Sequence, residues 1–436
     1  MPSDRGAIPG AEFLPLAEAG RVQQQRWRRQ SSYVMSASAF YRKLFGVNRL
    51  TGDVEEINDL PFTDKEMLRE DQAEHPPFGQ YLATRADKIS RIHRTSGTTG
   101  LAMNLALTAS DAEMTASVAA RAQTAAGLGS GHCVIHCLNY QLWMGGYTDH
   151  ASLEATGATV VPFGVGSTER LIRTIVELGV SAISCTPSYP AVVEAKLAEL
   201  YPDLGPRDLG LTLGLFGGEP GLDDPEFRRR LEDTWGFAAR NANYGVSDVL
   251  SNFAGQTEFS NDLHFIALDV LLPELVDPES DRRLPWREGQ HGELVLTHLT
   301  KEAQPLVRFR TGDIIKLTGL GTARCGRTAP RFRVIGRTDD MVVVRGLNLF
   351  PTMVAGVINQ FPELSGEYRI VLSGPPPYDF LPVEVEVISG RHHVEGLAQA
   401  VEAAIKRELG ATAQVDVLAP MSLPRTEGKT RRVFRK

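Results

Sequence analysis

Apolar runs alternate with amphipathic segments through the middle of the chain, from Cys133 to Gly218. The apolar runs are short and bounded by turn residues, which is typical of buried strands. The segments between them repeat apolar residues at helical spacing. This alternation predicts a parallel sheet with crossover helices. The predicted strands are 134–138, 158–163, 181–185 and 211–216, and the predicted helices are 149–156, 167–178 and 189–200.

Other patterns flank this region. Helical spacing predicts a helix over Arg21–Phe45, whereas residues 1–10 are predicted to be disordered. A strand over Ile89–His93 and a helix over Asn104–Ala125 are predicted on either side of a polar loop. After Tyr244 the pattern becomes rich in strands, including 292–297 and 306–310, with a turn-rich insert at 277–289.

A boundary is predicted near Asp339, which divides the chain into an N-terminal domain, 1–338, and a C-terminal domain, 339–436. The C-terminal part has the size and mixed pattern of a small α+β domain. Its predicted strands are 341–344, 368–372 and 383–388, its predicted helices are 351–360 and 394–409, and a proline loop is predicted at 375–377. The predicted fold class is therefore α/β, with mostly parallel sheets and a β-rich subdomain ahead of this smaller, mobile domain.

Composition narrows the class of protein. The 436 residues are 42% hydrophobic and 23% charged, as in globular proteins of two or three domains. A net charge of −7 argues against a nucleic-acid partner or an anionic membrane. No apolar run is long enough to span a bilayer, and the first residues lack a secretory signal pattern. Four cysteines do not make a disulfide framework, so we expect the cytoplasm.

A loop of hydroxyl side chains and glycines, Arg94–Gly100, follows the first predicted strand. Its glycines let the backbone approach a ligand, and its hydroxyl and N–H groups form a cradle suited to phosphate oxygens. Nucleotide phosphates commonly bind to such a loop between a strand and a helix. It is not the P-loop pattern, because Leu101 stands where that pattern has lysine. A polar surface turn is the alternative.

The stretch His132–Cys137 also suggests chemistry, since it contains two histidines and two cysteines. On a strand, the histidines would share one face and the cysteines the other. No second pair of ligands stands at zinc-like spacing, so strand packing is favoured over a structural zinc site.

Seven short motifs follow one another along the chain: 94–100 (RTSGTTG), 216–220 (FGGEP), 243–248 (NYGVSD), 299–303 (LTKEA), 308–313 (RFRTGD), 336–341 (GRTDDM) and 424–429 (PRTEGK). In order and spacing they resemble the adenylate-forming superfamily of acyl-CoA synthetases, and most closely its phenylacetate-CoA ligase branch. Segments 39–45 and 186–189 resemble that branch specifically. The resemblance extends from about Ser38 to Val433.

This resemblance implies a nucleotide site for ATP. A carboxylate attacks the α-phosphate, charge builds on the phosphate oxygens, and the enzyme supplies donors and a cation there. Tyr244 resembles the aromatic residue that stacks on adenine, Asp313 the carboxylate that accepts from both ribose hydroxyls, and Arg337 the arginine near ribose and phosphate. The implied nucleotide-binding residues are Thr95, Ser96, Gly97, Thr98, Thr99, Gly100, Gly218, Glu219, Pro220, Asn243, Tyr244, Gly245, Ser247, Asp313 and Arg337.

The resemblance also implies three further roles. Asp248, where many relatives have glutamate, is expected to bind Mg²⁺ directly or through water. Lys429 matches the catalytic lysine that reaches the carboxylate and the α-phosphate during adenylation. Asp339 matches the hinge at which the small domain rotates between adenylation and thiol transfer.

An aromatic acid is the expected substrate, because aromatic side chains cluster in the segments that match the acyl pocket. The implied substrate-binding residues are Tyr140, Trp143, Gly145, Tyr189, Phe216 and Gly217. Packing in the core is an equal alternative for the aromatic ones. The branch's usual Trp-Glu-Asp is replaced by 266–269 (IALD), which counts against phenylacetate itself. An aminobenzoate or hydroxybenzoate is the alternative hypothesis.

The predicted function is ATP-dependent activation of an aromatic acid of the benzoate, anthranilate or phenylacetate type to acyl-AMP with release of pyrophosphate, followed by transfer to coenzyme A. A second hypothesis transfers the acyl group to the phosphopantetheine of a carrier protein in natural-product biosynthesis. A third is a non-catalytic relative that binds nucleotide or acyl ligand, for which the missing lysine after Gly100 is the only motif-level support. The acid, the thiol acceptor and the oligomeric state, with a homodimer among the alternatives, stay open.

Overall fold

The computed structural model describes residues 10–95, 102–345, 347–374, 378–388, 396–423 and 432–435. The chain divides into two compact units, which we describe separately. The first unit comprises residues up to Gly218, Leu231–Thr311 and Lys316–Arg333, and the second comprises Glu219–Arg230, Gly312–Ile315 and the chain from Val334 onward.

The first unit combines helices with a large sheet, which α4 and α5 contact. Helices α1 to α8 are Leu16–Ala37, Ala39–Phe45, Lys65–Glu74, Ala109–Ala125, Met144–Glu154, Thr168–Leu178, Tyr189–Leu200 and Pro225–Trp235, the last of which begins in the second unit. Strands β1 to β7 are Ile89–Arg94, Asn104–Thr108, Cys133–His136, Thr159–Pro162, Ala182–Cys185, Leu213–Gly217 and Ala238–Val246. Strands β8 to β14 are Leu250–Thr257, Ser260–Phe265, Leu271–Val276, Arg283–Leu284, His291–His298, Phe309–Gly319 and Arg331–Arg337.

Twelve described strands form one sheet, in the order β11-β10-β12-β13-β14-β9-β8-β7-β6-β5-β3-β4. The part from β4 to β7 is parallel, with β3 between β4 and β5, and β6 between β5 and β7. Strand β7 pairs with β8 in the antiparallel sense, so it joins the parallel part to the antiparallel part. The predicted parallel sheet with crossover helices is confirmed. Each predicted strand and helix between Cys133 and Gly218 is present, α7 with the predicted bounds and the others with one or both ends shifted.

The prediction of one helix over Asn104–Ala125 is wrong in its first five residues. Asn104–Thr108 form strand β2, which pairs with β1 in the antiparallel sense, and α4 begins after them. Thr108 accepts a hydrogen bond from the Asp111 N–H, and the Asp111 side chain accepts one from the Thr108 N–H. This capping box fixes the helix start, so the loop after β1 connects two strands rather than a strand and a helix.

Two other predictions are corrected. The helix predicted over Arg21–Phe45 is two helices, α1 and α2, separated by Ser38, whose hydroxyl caps α2 by accepting from the Tyr41 N–H. The strand predicted at 306–310 begins only at Phe309 and continues to Gly319. Arg308, just before it, has a positive φ of 47°, which interrupts an extended conformation.

The second unit has its own apolar core. Its elements are β15 Val342–Val344, β16 Leu347–Leu349, α9 Pro351–Ile358, β17 Leu364–Leu372, β18 Leu381–Val387, α10 Leu397–Leu409, β19 Ala413–Leu418 and β20 Val433–Arg435. Four of these strands form a sheet in the order β19-β18-β17-β20, and β15 pairs with β16. Val354, Ile370, Val385 and Val401 are among the side chains of α9, α10 and this sheet that pack in one buried cluster.

These observations confirm the α/β class with a smaller α+β part. The predicted disorder of residues 1–9 and the proline loop at 375–377 lie outside the described residues. Where the structure describes the chain, no helix has the length and apolar content needed to cross a membrane.

Candidate functional site

The carboxyl ends of parallel strands meet at one edge of the sheet in the first unit. His136 ends β3, Cys185 ends β5 and Gly217 ends β6. Asn243, in β7, pairs with Gly217. Ligands of open α/β sheets bind at this edge, because the loops that follow the strands converge there. The edge therefore brings the first residues of one motif singled out in the sequence, 216–218, next to the motif 243–248.

Backbones approach closely at two glycines of these motifs. A Cβ atom on Gly217 would lie 2.7 Å from the Cβ of Asn243 and closer still to the Asn243 carbonyl oxygen. A Cβ on Gly245 would overlap the Ser251 carbonyl and lie 2.6 Å from the Leu250 oxygen. Both positions require glycine because backbone atoms cannot move aside. Gly218 has a positive φ of 81° and is exposed.

Asn243 forms a hydrogen bond that the sequence did not predict. Its Nδ2 donates to Asp149 Oδ2 at 2.5 Å. Asp149 lies in α5 and is 2% exposed. Burial raises the pKa of the Asp149 carboxyl to about 7, against the lowering effect of the Asn243 hydrogen bond. The bond links the helix after β3 to the strand that carries the nucleotide motif.

Tyr244 stands beside Asn243 and packs against two buried rings. Its ring meets Phe253 and Phe332 edge to face, at centroid distances of 5.2 and 5.6 Å. The ring is thus oriented by aromatic neighbours while the residue stays partly exposed. Ser247, further along, is exposed.

His136 fixes the segment expected to hold the acid. Its Nε2 lies 2.9 Å from the Gly145 carbonyl oxygen, and its Nδ1 lies 3.1 Å from Ser184 Oγ. Burial lowers the pKa of His136 to about 4, so the imidazole is neutral at pH 7. His136 therefore anchors the first turn of α5 by hydrogen bonds. The residue packs in the strand, and no group of metal-ligating side chains occurs in the described part of the chain.

Tyr140 is the best-defined of the expected substrate residues. Its ring lies edge to face on His136 at 5.6 Å, and its hydroxyl is 2.9 Å from His150 Nδ1. A Cβ on Gly164 would be 3.2 Å from this ring, so the opposing backbone is close. The ring is therefore held in place from three sides.

The other expected aromatic residues differ in exposure. Trp143 is 40% exposed at the start of α5, and Tyr189 is partly buried at the start of α7. Phe216 is 1% exposed and packs against Phe237 at 5.8 Å. The Phe216 ring thus packs in the core. Core packing was the alternative to substrate binding in the sequence analysis.

Thr95 closes the base of the hydroxyl- and glycine-rich loop. Its N–H donates to the Met103 carbonyl oxygen, and its hydroxyl accepts from the Met103 N–H, both at 3.0 Å. The two loop ends are thus pinned by reciprocal bonds. Ser96, Gly97, Thr98, Thr99 and Gly100 lie outside the described residues.

Asp248 has the features expected of a carboxylate that binds a cation. Lys65 Nζ lies 3.0 Å from its Oδ2. Its Oδ1 is buried and has no hydrogen-bond partner among the described residues. A buried carboxylate oxygen left unpaired is costly, and a bound cation removes that cost. The residue therefore fits a Mg²⁺ ion whose other ligands come from phosphates and water.

In the second unit, Arg337 joins two of the other predicted residues. Its Nη1 lies 2.5 Å from Asp313 Oδ1, and its Nε lies 2.9 Å from Asp339 Oδ1. Burial alone lowers the pKa of the Arg337 guanidinium, but the Asp313 and Asp339 charges raise it above its ordinary value. Glu219 is partly buried and Pro220 is exposed. Lys429 lies outside the described residues.

Sequence reasoning missed Asp149 and Lys65. Each acts on a residue far away in the chain, Asn243 and Asp248 respectively, so no local spacing marks the pair. A signal for Asp149 exists all the same. Helix α5 (MGGYTDHASLE) has acidic residues only at Asp149 and at its last position. A buried acidic side chain in the middle of such a helix needs a hydrogen-bond partner.

Comparisons with known proteins identify relatives of the chain. The family model "AMP-binding enzyme C-terminal domain" matches residues 346–436. The phenylacetate-coenzyme A ligase of Thermus thermophilus is 36% identical, over 98% of this chain and 98% of that protein. That of Aromatoleum evansii is 35% identical, over 98% and 97%. The crystal structure of 2-hydroxyisobutyryl-CoA ligase with 2-HIB-AMP, in the postadenylation state, is 30% identical and has a TM-score of 0.88, over 99% of this chain and 94% of that one.

Proposed function

The chain belongs to the phenylacetate-CoA ligase family of adenylate-forming enzymes, and from this membership we propose that it converts an aromatic carboxylic acid to its coenzyme A thioester at the expense of ATP. The observation that carries the proposal is the full-length relationship to curated ligases of that name. The enzyme class is acid–thiol ligase, AMP-forming.

The reaction has two steps. A carboxylate oxygen of the acid attacks the α-phosphorus of ATP, the bond to the β-phosphate oxygen breaks, and pyrophosphate leaves. The thiol sulfur of coenzyme A then attacks the acyl carbon, its proton passes to solvent, and AMP leaves with the electron pair of the broken C–O bond. Both steps develop charge on oxygens, which positioned donors and cations stabilise.

Each cluster of residues has a proposed part in the first step. Tyr244 supports the base, while Asp313, held by Arg337, receives the ribose hydroxyls. Thr95 and the loop after it contact the phosphates, and Lys429 neutralises the charge that develops at the α-phosphate. Asp248 would hold Mg²⁺, which when bound neutralises phosphate charge.

The acid is proposed to lie against Tyr140, near the first turn of α5. The fixed ring offers a flat apolar wall, and Trp143 and Tyr189 stand at the starts of the neighbouring helices α5 and α7. His136 is neutral and already hydrogen-bonded, so it supplies no positive charge to the carboxylate of the acid. We therefore propose that the phosphate-binding groups and Lys429 balance the negative charge of this carboxylate. A benzoate-type acid is proposed over phenylacetate because residues 266–269 (IALD) replace the branch's usual Trp-Glu-Asp.

The cytoplasm is the proposed site of action, because all four cysteines are free thiols.

The testing experiment measures ATP-dependent pyrophosphate release with a panel of aromatic acids, including benzoate, aminobenzoates, hydroxybenzoates and phenylacetate, with and without coenzyme A. We expect release with one of these acids and a thioester only when coenzyme A is present. Release without any coenzyme A product would instead indicate transfer to a carrier protein. Failure with every acid, together with no binding of ATP, would overturn the proposal.

A further inference from the structure

Tyr140 lies along one face of α5 and contacts this helix at both of its ends. A Cβ atom on Gly146 would lie 2.6 Å from the Tyr140 Cα, so the glycine lets the Tyr140 backbone rest on the start of the helix. The Tyr140 hydroxyl lies 2.9 Å from His150 Nδ1. Gly146 and His150 stand at positions i and i+4 of α5 and therefore share a face, about one turn apart. The tyrosine side chain thus spans one turn of the helix.

The His150 imidazole is itself oriented by its neighbours. Its Nε2 lies 3.2 Å from a carboxylate oxygen of Glu154, at the end of α5. Its ring stacks on the Tyr147 ring at a centroid distance of 6.1 Å and an interplanar angle of 13°. The Arg91 guanidinium lies over the Tyr147 ring, 4.4 Å from its centroid. With a side chain that is 13% exposed, His150 is a fixed partner for the Tyr140 hydroxyl.

These contacts assign a direction to the hydrogen bond between Tyr140 and His150. A neutral imidazole carries one N–H, and a carboxylate only accepts, so the imidazole proton belongs on Nε2, which faces Glu154. Nδ1 is then an acceptor, and the Tyr140 hydroxyl donates to it. The ring cannot swing away from α5 without breaking this bond. The Tyr140 side chain is therefore held at its backbone end by packing and at its hydroxyl end by His150.

We propose that His150 is a positioning residue that sets the selectivity among aromatic acids by fixing the Tyr140 ring along α5. The inference rests on the proposed function, in which the acid lies against Tyr140. A ring that is held at both ends distinguishes acids whose own rings lie at different distances from the carboxylate, because only one of them then packs well. A ring that is held only at its backbone end adjusts to either acid. His150 thus acts on the acid through Tyr140.

The test compares the aromatic acid that binds best with its homologue that has one methylene more or fewer between ring and carboxylate. Wild type, His150→Ala, Tyr140→Phe and the double variant are used. Calorimetry gives the dissociation constants of the two acids, and pyrophosphate release gives the KM values for acid and ATP. We expect each single substitution to lower the ratio of the two dissociation constants about tenfold, the effect of about one hydrogen bond, and to leave the KM for ATP unchanged. Because both substitutions break the same bond, the double variant should lose no more selectivity than either one.

Two further variants serve as controls. His150→Asn places an amide oxygen near the position of Nδ1, where it accepts from the Tyr140 hydroxyl, and should restore most of the selectivity. His291→Ala, at an exposed position of β12, should resemble wild type. A purely structural role of His150 predicts losses that add in the double variant and a KM for ATP that rises with the KM for the acid. Either result overturns the proposal.

If His150→Ala does not fold, Tyr140→Phe provides the second test, because it keeps the ring and removes only the hydroxyl. Wild-type selectivity in Tyr140→Phe contradicts the proposal. Calorimetry separates this inference from the ligase reaction, since the binding of two acids can be compared without turnover. A changed ratio of dissociation constants in the variants, with no pyrophosphate release in wild type, would support the positioning role and refute the ligase reaction.

Discussion

Arg337 and Asp313, two residues that the motifs place on the nucleotide, bind each other directly, with Nη1 2.5 Å from Oδ1. The guanidinium also binds Asp339 at 2.9 Å, so one planar group orients two carboxylates. A planar fork of donors does this better than the single ammonium of lysine. The carboxylate proposed to receive the ribose hydroxyls is therefore oriented by an arginine.

Arg337→Lys should lower the rate of pyrophosphate release about tenfold or more, because lysine cannot hold both carboxylates at once. The loss should appear in the KM for ATP as well as in kcat. Arg333→Lys is the matched control, since Arg333 forms an exposed ion pair with Asp262 and has no part in the site. Equal effects of the two substitutions would contradict the positioning role.

Gly217→Ala should abolish adenylation and lower the thermal stability, because the new methyl group meets the backbone of Asn243. The Gly356→Ala substitution is a control in an exposed part of α9, where an added Cβ meets nothing within 4 Å. There alanine should raise the free energy of unfolding by up to about 1 kcal/mol through its better helix propensity. Differential scanning fluorimetry and pyrophosphate release measure both effects. Normal activity of Gly217→Ala would refute the close approach.

Asp248→Ala should raise the Mg²⁺ concentration needed for half-maximal pyrophosphate release about tenfold. The substitution removes the buried, unpaired carboxylate oxygen that is proposed to bind the ion. Asp248→Glu keeps the charge and should stay much closer to wild type. Asp203→Ala, at an exposed position, serves as the control for general loss of negative charge. An unchanged Mg²⁺ requirement in Asp248→Ala would exclude a role in metal binding.

Lys429→Ala should abolish formation of acyl-AMP while sparing transfer from a supplied acyl-adenylate to coenzyme A. The physical reason is that the proposed lysine charge acts on the α-phosphate while the carboxylate attacks it, whereas in the second step the thiol attacks the acyl carbon of an adenylate that is already formed. Single-turnover assays of each half-reaction measure the two rates. Comparable losses in both would argue against this division of labour.

Asp149→Asn should stabilise the protein more at pH 8 than at pH 5. The folded pKa of Asp149 is raised from 3.8 to about 7, so the folded state binds the proton more tightly. The stabilisation linked to this proton is complete below pH 3.8 and is lost as the pH rises through 7, by at most about 1.4 kcal/mol per pH unit. Asparagine does not ionise and escapes this loss. Thermal unfolding at the two pH values gives the comparison, and a pH-independent difference would contradict it.

The sequence predicted the parallel part of the sheet well, because buried strands and amphipathic helices leave clear periodic patterns. It failed at Asn104–Thr108, whose short apolar run suits either a helix or a strand. Pairing with β1 decides that case, and pairing is not a local property. The Thr108 and Asp111 capping box was nevertheless visible as a sign of the true helix start.

Some residues of the candidate site could be predicted and others could not, again because only local patterns are visible in a sequence. Asn243, Asp248 and Asp313 were predicted because each lies in a contiguous motif. Asp149, which binds Asn243 from 94 residues away, and Lys65, which binds Asp248 from 183 residues away, could not be predicted in this way. Long-range hydrogen bonds are decided by the fold and leave no spacing in the sequence.

The position of strand β7 has a consequence for local unfolding of the sheet in the first unit. It supplies hydrogen bonds to a parallel neighbour, β6, on one side and to an antiparallel neighbour, β8, on the other. Displacement of β7 itself therefore breaks hydrogen bonds to both halves of the sheet at once. Because nucleotide binding at Tyr244 is proposed to stabilise β7, we expect it to slow amide exchange in β6 and β8 together, far beyond the atoms that the nucleotide touches.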